Sequence, residues 1–233
     1  MTPTELPPRI HPRPKRVLVG VLAIDRDEAI VDRVAESAGF LGTVCEHDIL
    51  VITRAQDELS RAAWSARGVR IEVVEDYEIE RRHNLWKVAE QRNLVCQRAL
   101  SEGYDAALFV DSDVSFTPTV VADLFAASEH ADVVVVPYRI RWSGQYTVGI
   151  IVAGKSQLLD ARALPREPRY PRIQGGPMGC TLIRRSAMVV PFEPMQLGGT
   201  AGEDIGFFYK LLTEHPNLVV RTTAWPYFAD HFY

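Results

Sequence analysis

The chain has 233 residues, of which 47% are hydrophobic and 24% are charged, and its formal net charge is −4. These values are ordinary for a soluble globular protein, and the length suits one large domain. The acidic balance argues against an extensive nucleic-acid-binding surface. No apolar run approaches the roughly 18–20 residues that a membrane-spanning helix needs.

Cysteine spacing and the first residues of the chain predict the compartment. Cys45, Cys96 and Cys180 lie far apart without a CxxC spacing, which favours reduced structural thiols over a disulfide framework or a zinc site. Residues 1–15 are rich in Pro and Arg and contain no apolar segment, so we expect a loosely ordered lead-in rather than a secretory signal. These features predict a cytoplasmic protein, with peripheral membrane association as an alternative.

Strands and helices are predicted to alternate through the first 137 residues. Apolar, β-branched runs predict strands at 16–24, 48–53, 69–74, 107–110 and 132–137. Helical spacing predicts helices at 28–38, 55–66, 84–101 and 118–128. Beyond residue 138 we expect a strand at 144–153, a loop at 160–179, a strand at 180–184, a helix at 203–214 and an extended end at 218–228. The alternation is typical of a mostly parallel α/β sheet.

The predicted strand at 107–110 ends on two carboxylates, Asp111 and Asp113, with Ser112 between them. An aspartate after four largely apolar residues is costly unless a cation meets it where the strand emerges. Because side chains alternate along a strand, Asp111 and Asp113 are expected on the same side. Two oxygen ligands there suit a divalent cation that also binds water and phosphate oxygens. Two solvated turn aspartates are the alternative.

A second acidic pair, Glu203 and Asp204, starts the predicted helix at 203–214. One explanation is that carboxylates at a helix N-terminus are favoured by the helix dipole. The other explanation makes Asp204 a general base that deprotonates an acceptor hydroxyl group. The two conflict, because a helix N-terminus favours the ionised carboxylate and lowers its basicity.

Three further residues are candidates for ligand binding. Arg92 is in phase with the apolar face of its predicted helix, so it points inward and needs either an acidic core neighbour or a bound diphosphate. His231 would suit Mn²⁺ beside carboxylates, although a histidine near a chain end is usually only exposed. Gly176 lies in a glycine-rich loop, where a ligand could approach the backbone.

Together these elements resemble the GT-A fold glycosyltransferases, particularly the family-2-like enzymes of bacteria and phages. The resemblance covers residues 16–233 and rests on five ordered segments. They are Ala-Glu-Gln-Arg-Asn at 89–93, similar to the Arg-Asn helix; Phe-Val-Asp-Ser-Asp at 109–113, the DxD motif; Met-Gly-Cys-Thr-Leu-Ile-Arg-Arg at 178–185; Gly-Glu-Asp at 202–204, the xED motif; and Ala-Asp-His-Phe at 229–232, the C-terminal histidine motif.

The resemblance implies a GT-A (nucleotide-diphospho-sugar transferase) fold, which is an α/β architecture. A mostly parallel central sheet would be flanked by helices, with a small second sheet on the acceptor side. Within a single domain at 16–233, residues 16–137 would form the nucleotide-binding half and residues 138–233 the acceptor half.

The resemblance also implies a metal-dependent glycosyltransferase that moves a sugar from a nucleotide-diphosphate sugar to an acceptor hydroxyl group with inversion. Mn²⁺ or Mg²⁺ would be held by Asp111, Asp113 and His231. Asp204 would be the base, with Glu203 as its catalytic neighbour. The donor would also meet Arg92, Ser112 and Gly176. The acidic body favours a carbohydrate, lipid-linked or small-molecule acceptor, while a local groove leaves a nucleic-acid acceptor open.

The chain departs from the family pattern after its second strand. The Asp-Asp-Gly-Ser run of many family-2 enzymes is replaced by Ile-Thr-Arg-Ala-Gln-Asp at 52–57. Asp57 and Asp25 are the remaining candidates for contacts with the base or ribose, so UDP-, GDP- and dTDP-linked donors all stay open.

Two other functions fit parts of the sequence. A haloacid-dehalogenase-like phosphatase also uses a strand that ends in DxD, with the first aspartate as nucleophile. It would need Thr or Val at the position of Ser115, and it leaves three upstream strands unexplained. A non-catalytic nucleotide- or sugar-binding protein is the other alternative, because a fold does not establish an activity.

Overall fold

The computed structural model of the chain describes residues 10–23, 28–74, 81–139, 145–152, 155–164, 169–223 and 226–231, without the side chains at 81–84, 150–152, 156 and 231. The helices are α1 (Glu28–Gly39), α2 (Glu58–Ser65), α3 (Arg81–Ser101), α4 (Pro118–Ser128) and α5 (Glu203–Glu214). The strands are β1 (Arg16–Leu22), β2 (Glu46–Arg54), β3 (Arg70–Val74), β4 (Ala106–Asp111), β5 (Val114–Ser115), β6 (Val133–Val135), β7 (Thr147–Val152), β8 (Lys155–Asp160), β9 (Cys180–Arg184), β10 (Met195–Leu197), β11 (Thr200–Gly202), β12 (Val220–Thr222) and β13 (Asp230–His231).

A seven-stranded sheet forms the centre of the structure, in the order β12-β6-β9-β4-β1-β2-β3. Only β9 runs antiparallel to its neighbours, β4 and β6, and the other adjacent pairs are parallel. Buried residues of α1, α2 and α4 pack on one face of the sheet, and those of α3 and α5 pack on the other. This arrangement confirms the predicted mostly parallel sheet flanked by helices.

The continuous apolar run of β1 follows from this layering. Val17, Val19 and Val21 enter one hydrophobic core, and Leu18 enters the other. Because both faces of the strand are covered, polar residues do not alternate with the apolar residues at 17–22. At Gly20, an added Cβ atom would lie 2.6 Å from a methyl group of Val95 on α3, so the glycine lets that helix approach the sheet closely.

Small antiparallel sheets lie outside the central sheet. Strands β7 and β8 form one hairpin, in the region where one strand is predicted at 144–153. Strands β10 and β11 form another, whose tip is Gly198–Gly199, with φ angles of 60° and 92°. Two left-handed residues make the tight turn that suits a two-residue hairpin loop. Because β11 ends at Gly202 and α5 begins at Glu203, the second acidic pair directly follows this hairpin.

The described part of the predicted lead-in packs against the domain. Arg13 pairs with Glu129 at 2.6 Å, and the carbonyl oxygen of Pro12 accepts a hydrogen bond from Arg184 at 2.7 Å. The backbone amide of Lys15 donates to Asp105 at 2.8 Å. The domain bounds and the division at residue 137 stay predictions.

The three cysteines, Cys45, Cys96 and Cys180, are free thiols. Burial raises the pKa of the Cys96 thiol to about 12, which keeps it protonated and unreactive. Among the helices that the structure describes, none has the length and apolar composition needed to cross a membrane.

Candidate active site

The candidate site lies at the carboxyl ends of the parallel strands. β4 ends at Asp111, which is paired in register with Leu22, the last residue of β1. The antiparallel strand β9 begins at the same edge, where the backbone amide of Asp111 donates to the carbonyl oxygen of Gly179 at 2.9 Å. Ligands of open α/β sheets bind outside this edge.

Arg92, on α3, joins the two acidic motifs. Its Nη2 atom donates to Asp111 Oδ1 at 3.2 Å, and its Nε atom donates to Glu203 Oε1 at 3.2 Å. Burial would lower the pKa of Arg92, but the charges of Asp111 and Glu203 outweigh it and the pKa is raised. The inward-facing cation thus has the acidic neighbours that the sequence offered as one alternative. Its Nη1 atom is buried and has no hydrogen-bond partner among the described residues.

The second oxygen of Asp111 is held from the other side. The hydroxyl group of Tyr138 donates to Asp111 Oδ2 at 3.4 Å. An added Cβ atom at Gly179 would collide with Asp111 Oδ2 and lie 2.8 Å from the Tyr138 oxygen. Although Arg92, Tyr138 and Gly179 surround its carboxylate, the Asp111 side chain stays 30% exposed. No sequence pattern isolates Tyr138, whereas the glycine directly before an apolar strand was a usable signal for Gly179.

Asp113 lies in a turn rather than in the strand. β4 ends at Asp111, and Ser112 and Asp113 connect it to β5. The strand alternation that predicts a common side for the two carboxylates therefore does not extend to Asp113. Ser112 is buried and Asp113 is partly exposed. β13 pairs with β5 so that the backbone of His231 lies opposite Val114, the residue after Asp113.

These residues fit a hard divalent cation in their chemistry. Asp111 and Asp113 supply carboxylate oxygens, and a histidine beside them completes a donor set that Mn²⁺ accepts. The side chain of His231 lies outside the described residues, so its part in this set stays a prediction. Within the described side chains, no group of three or more His, Cys, Asp or Glu residues could hold a metal ion.

The two acidic residues at the start of α5 have different surroundings. Glu203 is buried and tied to Arg92, while Asp204 is partly exposed and accepts a hydrogen bond from the Ile205 amide at 2.8 Å. Burial and then the charge of Glu203 raise the pKa of Asp204 to about 6, against the opposing effects of the Ile205 amide and Arg92. The helix N-terminus, which would lower the pKa of Asp204, is therefore outweighed by burial and by the charge of Glu203. A carboxylate with this pKa is ionised at neutral pH and more basic than an ordinary aspartate.

Asn93 fixes the distance between α3 and α5. Its side-chain amide donates to the carbonyl oxygen of Phe192 at 2.9 Å and accepts from the amide of Phe192 at 2.8 Å. The ring of Phe192 stacks on Phe207 of α5, with centroids 4.5 Å apart. Since Asn93 follows Arg92 directly, this clamp places Glu203 within reach of the Arg92 guanidinium group. The side-chain amide next to the inward-facing arginine was the available sequence signal.

Three further residues, Asp57, Gly176 and Asp25, are predicted to contact the donor. Asp57 accepts hydrogen bonds from Arg54 at 2.6 and 2.9 Å, which fix the turn between β2 and α2. Burial would raise the pKa of Asp57, but the hydrogen bonds from Arg54 outweigh it and the pKa is lowered. At Gly176, an added Cβ atom would lie 2.7 Å from Val135 of β6, so the close approach there is to the sheet. Asp25 lies outside the described residues, and donor contacts of all three residues stay predictions.

A separate groove of about 520 Å³ lies at the amino ends of β1, β2 and β3. Four of its lining side chains form hydrogen bonds with one another: Tyr104 donates to Asp48 at 2.6 Å, and Arg70 donates to Glu102 at 2.7 Å. Because it lies at the amino ends of the strands, the groove is at the end of the sheet opposite Asp111.

No family model and no curated protein sequence matches this chain. Solved structures do. The chain is similar to GalNAc-T7, crystallised with UDP, GalNAc and Mn²⁺, with a TM-score of 0.59 and 15% identity over 94% of this chain and 44% of that one. It is similar to glucosyl-3-phosphoglycerate synthase from Mycobacterium tuberculosis, in complex with Mn²⁺, UDP and phosphoglyceric acid (TM-score 0.54, 14% identity, 94% of this chain and 71% of that one).

A third similar structure is the mannosyltransferase PcManGT from Pyrobaculum calidifontis, in complex with GDP-Man and Mn²⁺. Its TM-score is 0.56 at 10% identity, over 97% of this chain and 59% of that one. The chain thus spans about half the length of GalNAc-T7 and PcManGT. Identities this low establish the fold alone: the chain has the GT-A fold, as its sequence predicts.

Proposed function

We propose that this protein is a glycosyltransferase that moves a sugar from a nucleotide-diphosphate sugar to an acceptor hydroxyl group, with a divalent cation and with inversion at the sugar carbon. One observation carries the proposal. Arg92 joins Asp111, at the ligand-binding edge of a GT-A sheet, to Glu203, which directly precedes Asp204. A buried cation thus connects two acidic segments that lie far apart in the sequence, which supports a shared role for them.

The donor would bind at the Asp111 side of this site. Asp111, Asp113 and His231 would hold Mn²⁺ or Mg²⁺, which when bound stabilises the negative charge of the leaving diphosphate as a Lewis acid. Ser112 and Gly176 would contact the donor nearby. The Nη1 atom of Arg92, which has no partner among the described residues, would give the diphosphate a charge-assisted hydrogen bond.

Asp204 would act on the acceptor. Its carboxylate would take the proton of the acceptor hydroxyl group as that oxygen attacks the anomeric carbon of the sugar. The bond from this carbon to the diphosphate oxygen breaks in the same displacement, which inverts the carbon. A pKa of about 6 supports this role, because the base is free to accept a proton at neutral pH. Glu203, bound to Arg92, would orient the start of α5.

The similar structures and the charge of the chain guide the choice of donor and acceptor classes. Mn²⁺ with UDP or GDP-Man occurs in the similar structures, so UDP- and GDP-linked sugars are the first donors to test, with dTDP-linked sugars third. We keep Asp57 and Asp25 as candidates for the base or ribose. A carbohydrate, lipid-linked or small-molecule acceptor suits the acidic chain better than a nucleic acid, and a cytoplasmic location stays a prediction.

A haloacid-dehalogenase-like phosphatase is disfavoured by the fold, because β1, β2 and β3 precede the strand that ends at Asp111 and that function leaves them unexplained. A non-catalytic nucleotide- or sugar-binding protein is the second alternative, and the measurement of turnover below separates it from an enzyme.

The proposal is tested by thermal shift and donor hydrolysis. We expect UDP-, GDP- or dTDP-sugar to raise Tm with Mn²⁺ and much less without it. Asp113→Ala should abolish this shift, whereas Asp204→Asn should keep it and lower turnover about 10²- to 10⁴-fold, the usual contribution of a general base. A wild-type protein that no nucleotide stabilises would refute the donor hypothesis, and stabilisation without any turnover would favour the binding protein.

A further inference from the structure

Tyr138 follows β6 and reaches into the candidate site from the side opposite Arg92. Its hydroxyl group donates to Asp111 Oδ2 at 3.4 Å, and the backbone of Gly179 hydrogen-bonds the same hydroxyl group. Arg92 holds Asp111 Oδ1 at 3.2 Å. The two oxygens of Asp111 are thus held by two different donors, so the rotation of the carboxylate is defined.

The backbone of Tyr138 is itself fixed. It forms a parallel bridge with Ala229, whose amide donates to the carbonyl oxygen of Pro137 at 3.0 Å. Its side chain packs against the hydrophobic core that contains α1 and α4. Ala229 leads directly into β13, the strand that pairs with β5 beside Asp113. One residue therefore links the end of β4 with the C-terminal strand.

The space around this contact allows little movement. A Cβ atom at Gly179 would collide with Asp111 Oδ2 and lie 2.8 Å from the Tyr138 oxygen. The carboxylate is therefore bordered by the backbone of Gly179, by Tyr138 and by Arg92, and its remaining face is open to solvent. A group packed in this way can set the orientation of an aspartate that meets a ligand.

We propose that Tyr138 is a positioning residue for the donor, which acts through Asp111 and sets the affinity for the metal–nucleotide complex without taking part in proton transfer. This inference rests on the proposed function. Asp204, the proposed base, belongs to α5 and is bonded to the Ile205 amide, so the loss of the Tyr138 hydroxyl group leaves that bond intact.

Tyr170 provides a matched control. Its hydroxyl group donates to Asp123 Oδ1 at 3.2 Å, and Arg169 donates to the same oxygen, so the residue types are those around Asp111. Asp123 lies on α4 and is not one of the candidate site residues. Tyr138→Phe and Tyr170→Phe each delete one tyrosine–aspartate hydrogen bond, and they differ in which aspartate loses it.

The experiment titrates wild type and both variants with UDP and GDP in the presence of Mn²⁺ by calorimetry, and measures kcat and KM for donor hydrolysis. Tyr138→Phe should weaken nucleotide affinity and raise the donor KM about three- to tenfold, with kcat changed less than about twofold, as expected for one modest hydrogen bond. Tyr170→Phe should leave affinity and KM unchanged.

A double-mutant cycle separates positioning from general stability. In the Asp111→Ala background, which has no side-chain acceptor for the Tyr138 hydroxyl group, Tyr138→Phe should cause no further loss of nucleotide affinity, because its effect passes through that carboxylate. Equal affinity of Tyr138→Phe and wild type, or additive losses in the cycle, would overturn the inference and leave the proposed function standing. A wild-type protein that binds neither nucleotide would overturn both.

Discussion

Two clusters in this molecule each contain an arginine, an aspartate and a tyrosine, and they differ in which charged group is buried. Around Asp123, the carboxylate is 1% exposed and its partner Arg169 is 61% exposed. Around Asp111, the partner Arg92 is 5% exposed and the carboxylate is 30% exposed. In each cluster the buried partner costs desolvation. At Asp111 the buried partner is the arginine, so the carboxylate is the group that faces outward, where it can meet a ligand.

Replacement of the two arginines should give the largest difference. Arg92→Ala leaves Asp111 and Glu203 without their cation, and we expect a loss of about 3–5 kcal/mol in the free energy of unfolding, as for a broken buried ion pair. Arg169→Ala leaves one buried acceptor short of a donor and should cost about 1–3 kcal/mol. Urea unfolding of both variants measures the difference. Equal losses would show that the two clusters are energetically alike.

The tight packing around Asp111 can be broken at Gly179. Gly179→Ala places a methyl group against Asp111 Oδ2, so we expect nucleotide affinity to fall about tenfold or more and stability to fall by about 1–3 kcal/mol. Gly39→Ala is the control, because nothing lies within 4 Å of an added Cβ atom at this helical position. It should keep full affinity and be neutral or slightly stabilising. Unchanged nucleotide binding in Gly179→Ala would mean that the Asp111 orientation does not matter.

A smaller effect should appear in the pH dependence of turnover. The raised pKa of Asp204 means that the base is protonated below about pH 6 and ionised above it. We therefore expect kcat/KM for sugar transfer to rise with pH up to about pH 6 and then to level off. In Asp204→Asn the residual rate should lose this inflection. An inflection that persists in the variant would assign the titration to another group.

Much of the fold could be predicted because both sides of the sheet are covered. Apolar runs located β1 and β4, and the phase of Arg92 in its helix predicted an inward cation that the structure pairs with Asp111 and Glu203. The hairpin of β10 and β11 was harder, since its strands have three residues each, although Gly198–Gly199 was a turn signal.

The parts of the site that sequence did not predict depend on tertiary contacts. Tyr138 follows a short β-branched strand, where a tyrosine usually only packs, and its hydrogen bond to Asp111 exists because β6 and β4 both flank β9. The hydrogen bonds between Arg54 and Asp57 were also not predicted, because a local ion pair leaves no periodic signal in the sequence. A donor contact of Asp57 stays a prediction.

The most direct test of the central claim is the location of manganese in a crystal grown with Mn²⁺ and UDP or GDP. We expect an anomalous peak at the carboxyl end of β4, within coordination distance of Asp113 or Asp111, with the diphosphate beside it. A peak confined to the opposite end of the strands, near Asp48 and Glu102, with no nucleotide at Asp111, would contradict the assignment of this cluster as the donor site.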